Sequence, residues 1–398
     1  MSDQGLPSID ELEVSGKRVL VRCDLNVPLE DGAITDDLRV RSALPTLEGL
    51  LGRGARLAVC SHLGRPKGQV KDELRLTPVA ERLSELFDRD VTAVRDVVGD
   101  EAKKACASGD DVVLLENLRF EPGEESNDPA FADALSSLAD VYVNDAFGAS
   151  HRAHASIVGP PERLPSAAGR LLVNEVTTLE RLLVKPDHPY VAVLGGVKVS
   201  DKLDVIGNLV DRVNAMCIGG AMAFTLLVAQ GRDVGRSLVE KDRVEDVKGI
   251  LDEAGEKGVD IHIPTDVVAA EKPTEGALHE TVPLEQIGNR MGVDIGPETT
   301  GDFATTILGA RTVLWNGPMG IFEIPEYSAG TKGVATAIAE ATVEGAFTVA
   351  GGGDSAAALA QFGMTDAVSH LSTGGGASLE LLEGKELPGI AALRQASA

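Results

Sequence analysis

Short, nearly unbroken apolar runs recur along the chain, each ending in a polar or glycine-rich stretch and followed by a helical pattern. In the first half they are VLVRCDLNVP, RLAVCSHLGRP, DVVLLENLRF and DVYVNDAFGASHR. In the second half they are YVAVLGGVKVSDK, AMCIGGAMAF, VDIHIPTDVV, TVLWNGPMG, AFTVAGGGDSAAAL and AVSHLSTGGGASLE. Continuous β-branched strands alternating with helices predict parallel sheets covered on both faces, an α/β architecture. In open sheets of this kind ligands gather beyond the carboxyl ends of the strands. The unusual residues of this chain fall there.

The two halves carry different chemistry at those strand ends. Loops of the first half hold Arg22, Arg39, His62, Arg65, Arg119, His151 and Arg152. Those of the second half hold glycine, with Lys198, Lys202 and isolated acids. Between them, LLVNEVTTLERLLVKPDHP has apolar residues at helical spacing and stops at Pro186, which predicts a helix joining two α/β domains. The division suggests one anion-binding domain and one phosphate-loop domain.

Composition narrows the partners. Of 398 residues, 37 are basic and 62 acidic, a net charge of −25, and 43% are apolar. That apolar share sets the chain apart from disordered acidic sequences. The negative balance argues against nucleic acid and anionic membranes, whose binding needs Lys and Arg to displace counterions. It also suggests salt adaptation, since screening in concentrated salt relieves self-repulsion; a merely acidic cytosolic enzyme is the alternative. No apolar run is long enough to cross a bilayer, and the acidic opening MSDQGLPSIDELEVSGKR has no apolar signal region, so a cytoplasmic location is expected. Cys23, Cys60, Cys106 and Cys217 are scattered without a CxxC pair, which fits a reducing compartment.

Against so acidic a background, arginines at successive strand ends are informative, because a guanidinium fork fits carboxylate or phosphate oxygens. Asp24 and Asn26 in RCDLNVP could accept hydrogen bonds from a substrate hydroxyl or orient neighbouring arginines. SHLGRP sets His62 and Arg65 around a glycine that lets backbone approach closely. Each arginine alone could be a solvated or ion-paired residue; as a set they point to a small, multiply anionic ligand such as a phosphorylated carboxylate. In NDAFGASHRAHAS, His151 and His154 lack the further ligands of a metal site and the elbow of a nucleophile relay. Arg152 is the better functional candidate, with His154 open to a structural role.

The second half has no GxxxxGK[ST], which excludes a Walker-type NTPase. In GGVKVSDK, Lys198 and Lys202 are four apart and would share one face of a helix, where two ammonium groups could hold a transferring phosphoryl; a solvated lysine pair is the alternative. In AGGGDSAAAL, Gly351 to Gly353 leave a strand and Asp354-Ser355 would cap a helix whose free N–H groups face an anion. A lone carboxylate beside phosphates also suits Mg²⁺. STGGGAS repeats the design, and WNGPMGIFE brings a turn and Glu323.

Together RCDLNVP, SHLGRP, LLENLRF, NDAFGASHRAHAS, GGVKVSDK, WNGPMGIFE, GGGDSAA and STGGGASLELLEGK resemble the signatures of the phosphoglycerate kinase family, in its order, over about residues 17 to 390. The resemblance implies two Rossmann-like domains joined by a linking helix and a hinge. Residues 1–170 would bind phosphoglycerate, 171–186 link, 187–378 bind nucleotide, and 379–398 return towards the first domain. It implies reversible phosphoryl transfer between 1,3-bisphosphoglycerate and ADP, giving 3-phosphoglycerate and ATP, with Mg²⁺ and hinge closure. The phosphoglycerate site would use Asp24, Asn26, Arg39, His62, Arg65, Arg119 and Arg152, with Arg22 and His151 in the surrounding basic patch. The nucleotide site would use Lys202, Gly292, Asn316, Glu323, Gly352, Gly353, Asp354 and Ser355, with Asp354 nearest the metal and Gly195, Gly196, Gly219 and Gly220 in the adenine and ribose cleft. Ser355 stands where threonine is common in the family and Val197 where alanine is frequent. The acidic exterior is similar to that of members from salt-loving archaea.

Transfer from an acyl phosphate needs positioning and charge neutralisation rather than a strong base. Arg39, Lys198 and Lys202 are the expected catalytic groups, with the helix N-termini at Gly353, Gly374 and Gly375 facing the transferring oxygens. A nicotinamide-dependent dehydrogenase on the same scaffold would show GxGxxG and an acid near the next strand's end, and neither half supplies both. A non-catalytic two-domain anion-binding protein would not need the paired lysines. A monomer is expected.

Overall fold

A computed structural model describes residues 5–396. The chain divides into two compact units, one formed by residues up to Thr177 together with Glu386 onward, the other by Thr178–Lys385. Each is built on one six-stranded parallel sheet, as the apolar runs predict.

The first unit contains β1 (Arg18–Arg22), a hairpin of β2 (Leu29–Glu30) and β3 (Ala33–Ile34), β4 (Arg56–Cys60), β5 (Thr92–Ala93), β6 (Val112–Leu114), β7 (Val141–Asn144) and β8 (Ser166–Ala168). Its sheet runs β5-β6-β4-β1-β7-β8. All five residues of β1 are buried, because helices cover both faces and leave no polar side. The helix Leu38–Gly52 buries Val40, Ala43, Leu47 and Leu50 at helical spacing, each leucine contributing roughly 2 kcal/mol on burial. The loops Cys23–Val27, Ser61–Pro66, Leu115–Phe120 and Asp145–Ser156 leave the carboxyl ends of β1, β4, β6 and β7. The helix Pro388–Ala396 belongs to this unit: Gly389 N–H donates to the Ser150 carbonyl at 2.9 Å, and Ile390 and Leu393 are buried.

The second unit adds β9 (Tyr190–Leu194), β10 (Ala215–Ile218), β11 (Asp260–His262), β12 (Asp266–Ala270), β13 (His279–Pro283), β14 (Met291–Ile295), β15 (Thr312–Asn316), β16 (Phe347–Gly351) and β17 (His370–Leu371). Its parallel sheet runs β11-β10-β9-β15-β16-β17, with Trp315 fully buried beside Phe303, Ile307 and Val334 in the core. VDIHIPTDVV reads as one run but forms two strands in two sheets. Pro264 has no N–H to extend a ladder, and beyond it β12 turns into a separate antiparallel sheet, β13-β12-β14. The β12–β14 register shifts between Val268 and Ala269 and leaves Val293 without an opposite number.

The helix Arg170–Val184 fills the apolar pattern that ends before Pro186. Its first turn is held by side chains of the first unit. Asp145 Oδ1 accepts from the N–H groups of Leu171 (3.0 Å) and Leu172 (3.3 Å), and Thr46 Oγ1 accepts from Arg170 N–H at 2.8 Å. Asp145 is fully buried, and among the described residues its Oδ2 makes no hydrogen bond within normal limits; burial pushes its pKa up to about 7.

Candidate active site

In the first unit, four strand-end loops converge on a cluster of cations. Asp24 follows β1 and accepts from Arg39 Nη1, which reaches it from the helix Leu38–Gly52. Asn26 Oδ1 accepts from Gly64 N–H at 2.8 Å, tying the loop after β1 to the loop after β4. Arg119, after β6, donates to the Gly64 carbonyl at 2.7 Å and lies 3.3 Å from Glu125. Burial lowers the Arg119 pKa, and Arg22 and Arg152 lower it further, a sign of cations crowded together. Arg65 and Arg152 are exposed at the edge, and Arg39 is 31% exposed. A charge cluster of this kind is at its most stable with an anion in it.

Arg22 differs from its expected place in a basic patch, because it is completely buried. Its Nε donates to Ser156 Oγ at 2.9 Å, its Nη1 to the Cys23 carbonyl, and its Nη2 to His62 Nδ1 at 3.2 Å. Glu124 lies 4.0 Å from Nη2 and accepts from both the N–H and the hydroxyl of Ser156. A buried guanidinium requires such a counter-charge, so Arg22 supports the site from beneath. By accepting from Arg22, His62 Nδ1 leaves its proton on Nε2. Burial drives the His62 pKa well below the usual range despite Asp24 at 3.9 Å, so His62 is a neutral donor. For Asp24, burial acts upward, but the charged groups around it, Arg39 and Arg22 among them, outweigh it and hold the carboxylate below its ordinary value.

The two histidines of HRAH separate as well. His154 is buried beside Glu124 at 3.8 Å, and burial, reinforced by Arg119 and Arg22, pushes its pKa down to about 4. His151, expected as a positive neighbour, accepts from Arg152 Nε at 3.1 Å, so that ring nitrogen carries a lone pair.

In the second unit, an apolar cavity of about 420 Å³ opens beside β9, β10, β14 and the loop after β15. Gly196, Gly220, Gly292, Glu323 and Asp354 border it. Gly195 and Gly219 instead serve close packing: a Cβ would fall 2.1 Å from the Pro318 carbonyl at Gly195 and 2.5 Å from Met319 Sδ at Gly219. Lys202 is nine-tenths buried, and its Nζ donates to the Asn316 carbonyl at 2.6 Å and to Asn316 Oδ1. Burial pushes its pKa down to about 8, with Asp354 and Asp201 pulling the other way. Asn316 Nδ2 in turn donates to the Gly351 carbonyl at 2.9 Å.

Lys198 and Lys202 do not share a helical face. Residues 195–202 are loop and turn, the helix starts at Leu203, and Lys198 is exposed while Lys202 is buried. Nor do Asp354 and Ser355 cap their helix. The N-cap of Gly353–Gln361 is Gly352 at φ +93°, a conformation that glycine adopts freely. Asp354 is exposed in the first turn, and Ser355 Oγ is occupied by Gly317 N–H at 2.7 Å. Likewise Gly375, at φ +51°, caps the helix Gly376–Leu382, and Gly374 N–H is bound to Ser372 Oγ.

The phosphoglycerate kinase family model matches residues 9–385. The chain belongs to the phosphoglycerate kinase family. The phosphoglycerate kinase of Thermomicrobium roseum is 54% identical over 391 residues, covering 98% of this chain and 99% of that protein. A solved phosphoglycerate kinase from Coxiella burnetii superposes with a TM-score of 0.88 at 40% identity, covering 99% of this chain and 100% of its own. The one from Pyrococcus horikoshii gives 0.86 at 34%, covering 98% and 99%. As a family member the chain is a phosphotransferase with a carboxyl acceptor, and neither the dehydrogenase nor the non-catalytic reading is favoured. Phosphoglycerate kinase motifs led to both clusters but not to what lies beneath them. Glu124 and Asp294 lie outside every motif, and Ser156 and Phe224 end quoted stretches without standing out in them; for Asp294 the sequence signal was an acid inside an apolar strand, MGVDI.

Proposed function

We propose that the chain transfers a phosphoryl group reversibly between 1,3-bisphosphoglycerate and ADP, with phosphoglycerate on the first unit and nucleotide on the second. The observation that carries the nucleotide half is Lys202, a buried ammonium aimed at Asn316 beside an apolar cavity that ends at Asp354. The cavity takes a flat base, Glu323 a ribose hydroxyl, and the phosphates extend towards the Gly352–Gly353 helix start, whose N–H groups stabilise anionic oxygens. In the first unit Arg39, Arg65, Arg119 and Arg152 hold the carboxylate and phosphate oxygens of the substrate. Asp24, Asn26 and the His62 Nε2–H orient it. Arg39 and Lys202 neutralise charge on the transferring group, with Lys198 approaching from solvent.

Asp354 is a single exposed carboxylate, a donor set that suits Mg²⁺ carried in on nucleotide phosphates. Bound there, the ion would neutralise charge on the phosphate oxygens. Hinge closure is the step this reading assigns to bringing the ligands together. A monomer in the cytoplasm, without nucleic acid or membrane partners, completes the proposal; among the described residues no helix is long and apolar enough to cross a membrane. The test is a coupled assay in both directions with Asp354→Ala. The variant should weaken Mg-nucleotide far more than phosphoglycerate, and equal loss of both would refute the assignment of ligands to units.

A further inference from the structure

The loop Gly317–Glu323 supplies Pro318, Met319, Gly320, Ile321 and Glu323 to the cavity wall. It has no regular structure to hold it, so its position depends on what it is tied to. Two ties lead to one place, the start of the helix Ala329–Val343. Ser328, the N-cap of that helix, makes no side-chain cap bond. Instead the Asp294 carboxylate on β14 accepts from Gly330 N–H at 2.7 Å through Oδ2, and from its neighbour Ile295 N–H at 2.9 Å through Oδ1. One residue on, Thr331 Oγ1 accepts from Met319 N–H at 3.0 Å, fastening the loop to the same helical turn. Ile321 N–H closes the ring by donating to the Val293 carbonyl at 3.0 Å.

The packing around Asp294 is as specific as its bonds. A Cβ built on Gly320 would lie 2.2 Å from Asp294 Oδ1, and one on Gly330 would lie 2.5 Å from the same atom. The carboxylate is therefore wedged between the loop backbone and the helix backbone, where only glycine on both sides leaves room. Asp294 is 4% exposed and borders the cavity. Both its oxygens are occupied by backbone N–H groups, so it positions the wall rather than binding a ligand.

We propose that Asp294 is a positioning residue for nucleotide binding, holding the Gly317–Glu323 wall of the cavity in register through the start of the helix Ala329–Val343. This rests on the reading of the cavity as the nucleotide site. Asparagine at this position keeps the shape but turns an N–H₂ group towards one of the two backbone donors, so the wedge loosens without leaving a void. Loss of a wall that touches nucleotide equally in ground and transition states raises KM and spares kcat.

The experiment compares Asp294→Asn, Thr331→Val and Val197→Trp, the last placing a bulky ring in the cavity mouth at an exposed lining position. For Asp294→Asn and Thr331→Val, KM for Mg-ADP should rise about tenfold while KM for bisphosphoglycerate and kcat at saturating ADP stay within about twofold. For Val197→Trp, KM for Mg-ADP should rise as well. If Val197→Trp leaves it unchanged, the cavity is not the nucleotide site and the reading beneath this proposal fails. If Val197→Trp raises it while Asp294→Asn and Thr331→Val do not, the positioning role is refuted. Equal loss of both KM values and kcat also refutes it, because it marks a purely structural part. Should Asp294→Asn fail to fold, Thr331→Val decides alone, since it cuts the other tie and leaves the carboxylate in place.

Discussion

Lys202 Nζ donates to the backbone carbonyl of Asn316 at 2.6 Å, across the gap between two parallel-strand ends. The contact is made by an ammonium that burial has brought close to neutrality, with a pKa of about 8. In the free enzyme its charge is therefore present below about pH 8 and lost above. A pH profile of kcat/KM for nucleotide should fall on its alkaline side from that point. Lys202→Ala should remove the limb and cut turnover by at least about 100-fold. Unchanged circular dichroism would show that the fold is intact, and near-normal activity would exclude the role.

Arg39 reaches Asp24 from a helix, not from the strand-end loops that carry the other arginines. It can therefore be removed without disturbing the backbone of those loops. Arg39→Ala should lower kcat by about 100-fold or more, with KM for nucleotide unmoved. Steady-state kinetics with each substrate varied in turn would check this; a change confined to nucleotide KM would contradict it.

Asp145 makes stability depend on pH in a definite direction. Its ordinary pKa of 3.8 rises to about 7 in the folded chain, so the stability linked to its protonation is fully present below about 3.8 and lost as pH climbs through 7. The shift corresponds to at most about 4 kcal/mol. Asp145→Asn does not titrate and keeps an acceptor for Leu171 and Leu172. Relative to the wild type it should gain in urea midpoint between pH 5 and pH 8. A constant difference across that range would mean that Asp145 is ionised throughout. Asp24 and Asp37 are held below 3.8 and titrate outside this window.

With 62 acidic against 37 basic residues, self-repulsion should be relieved by added salt. Melting temperature and activity measured from low to multimolar KCl should rise or hold. A steady decline in both would leave the chain an ordinary acidic enzyme.

How much of this was legible depends on the kind of residue. β1, β4, β6 and β7 declared themselves because strands covered on both faces are continuous apolar runs, and the arginines after them stood out against a negative chain. β13 did not, because HETVP exposes four of its five residues and belongs to a small sheet with a solvent face. Arg22 and Lys202 were named from motifs, yet their burial was unreadable: it depends on Glu124, Ser156 and Asn316, which only folding brings to them. The expected cap at Asp354 and Ser355 failed for a local reason, since Gly352 turns the chain two and three residues before them.

The helix Pro388–Ala396 completes a unit whose other residues end at Thr177. During synthesis the ribosome must therefore make the whole second unit before this helix can join the first, although domains emerging earlier ordinarily fold earlier. Until then Ser150 and Ile157, which flank Gly389 in the finished protein, lack the cover of this helix. The arginine loop between them is thus among the last parts of the first unit to set, and its shape answers to a stretch of chain made more than two hundred residues later.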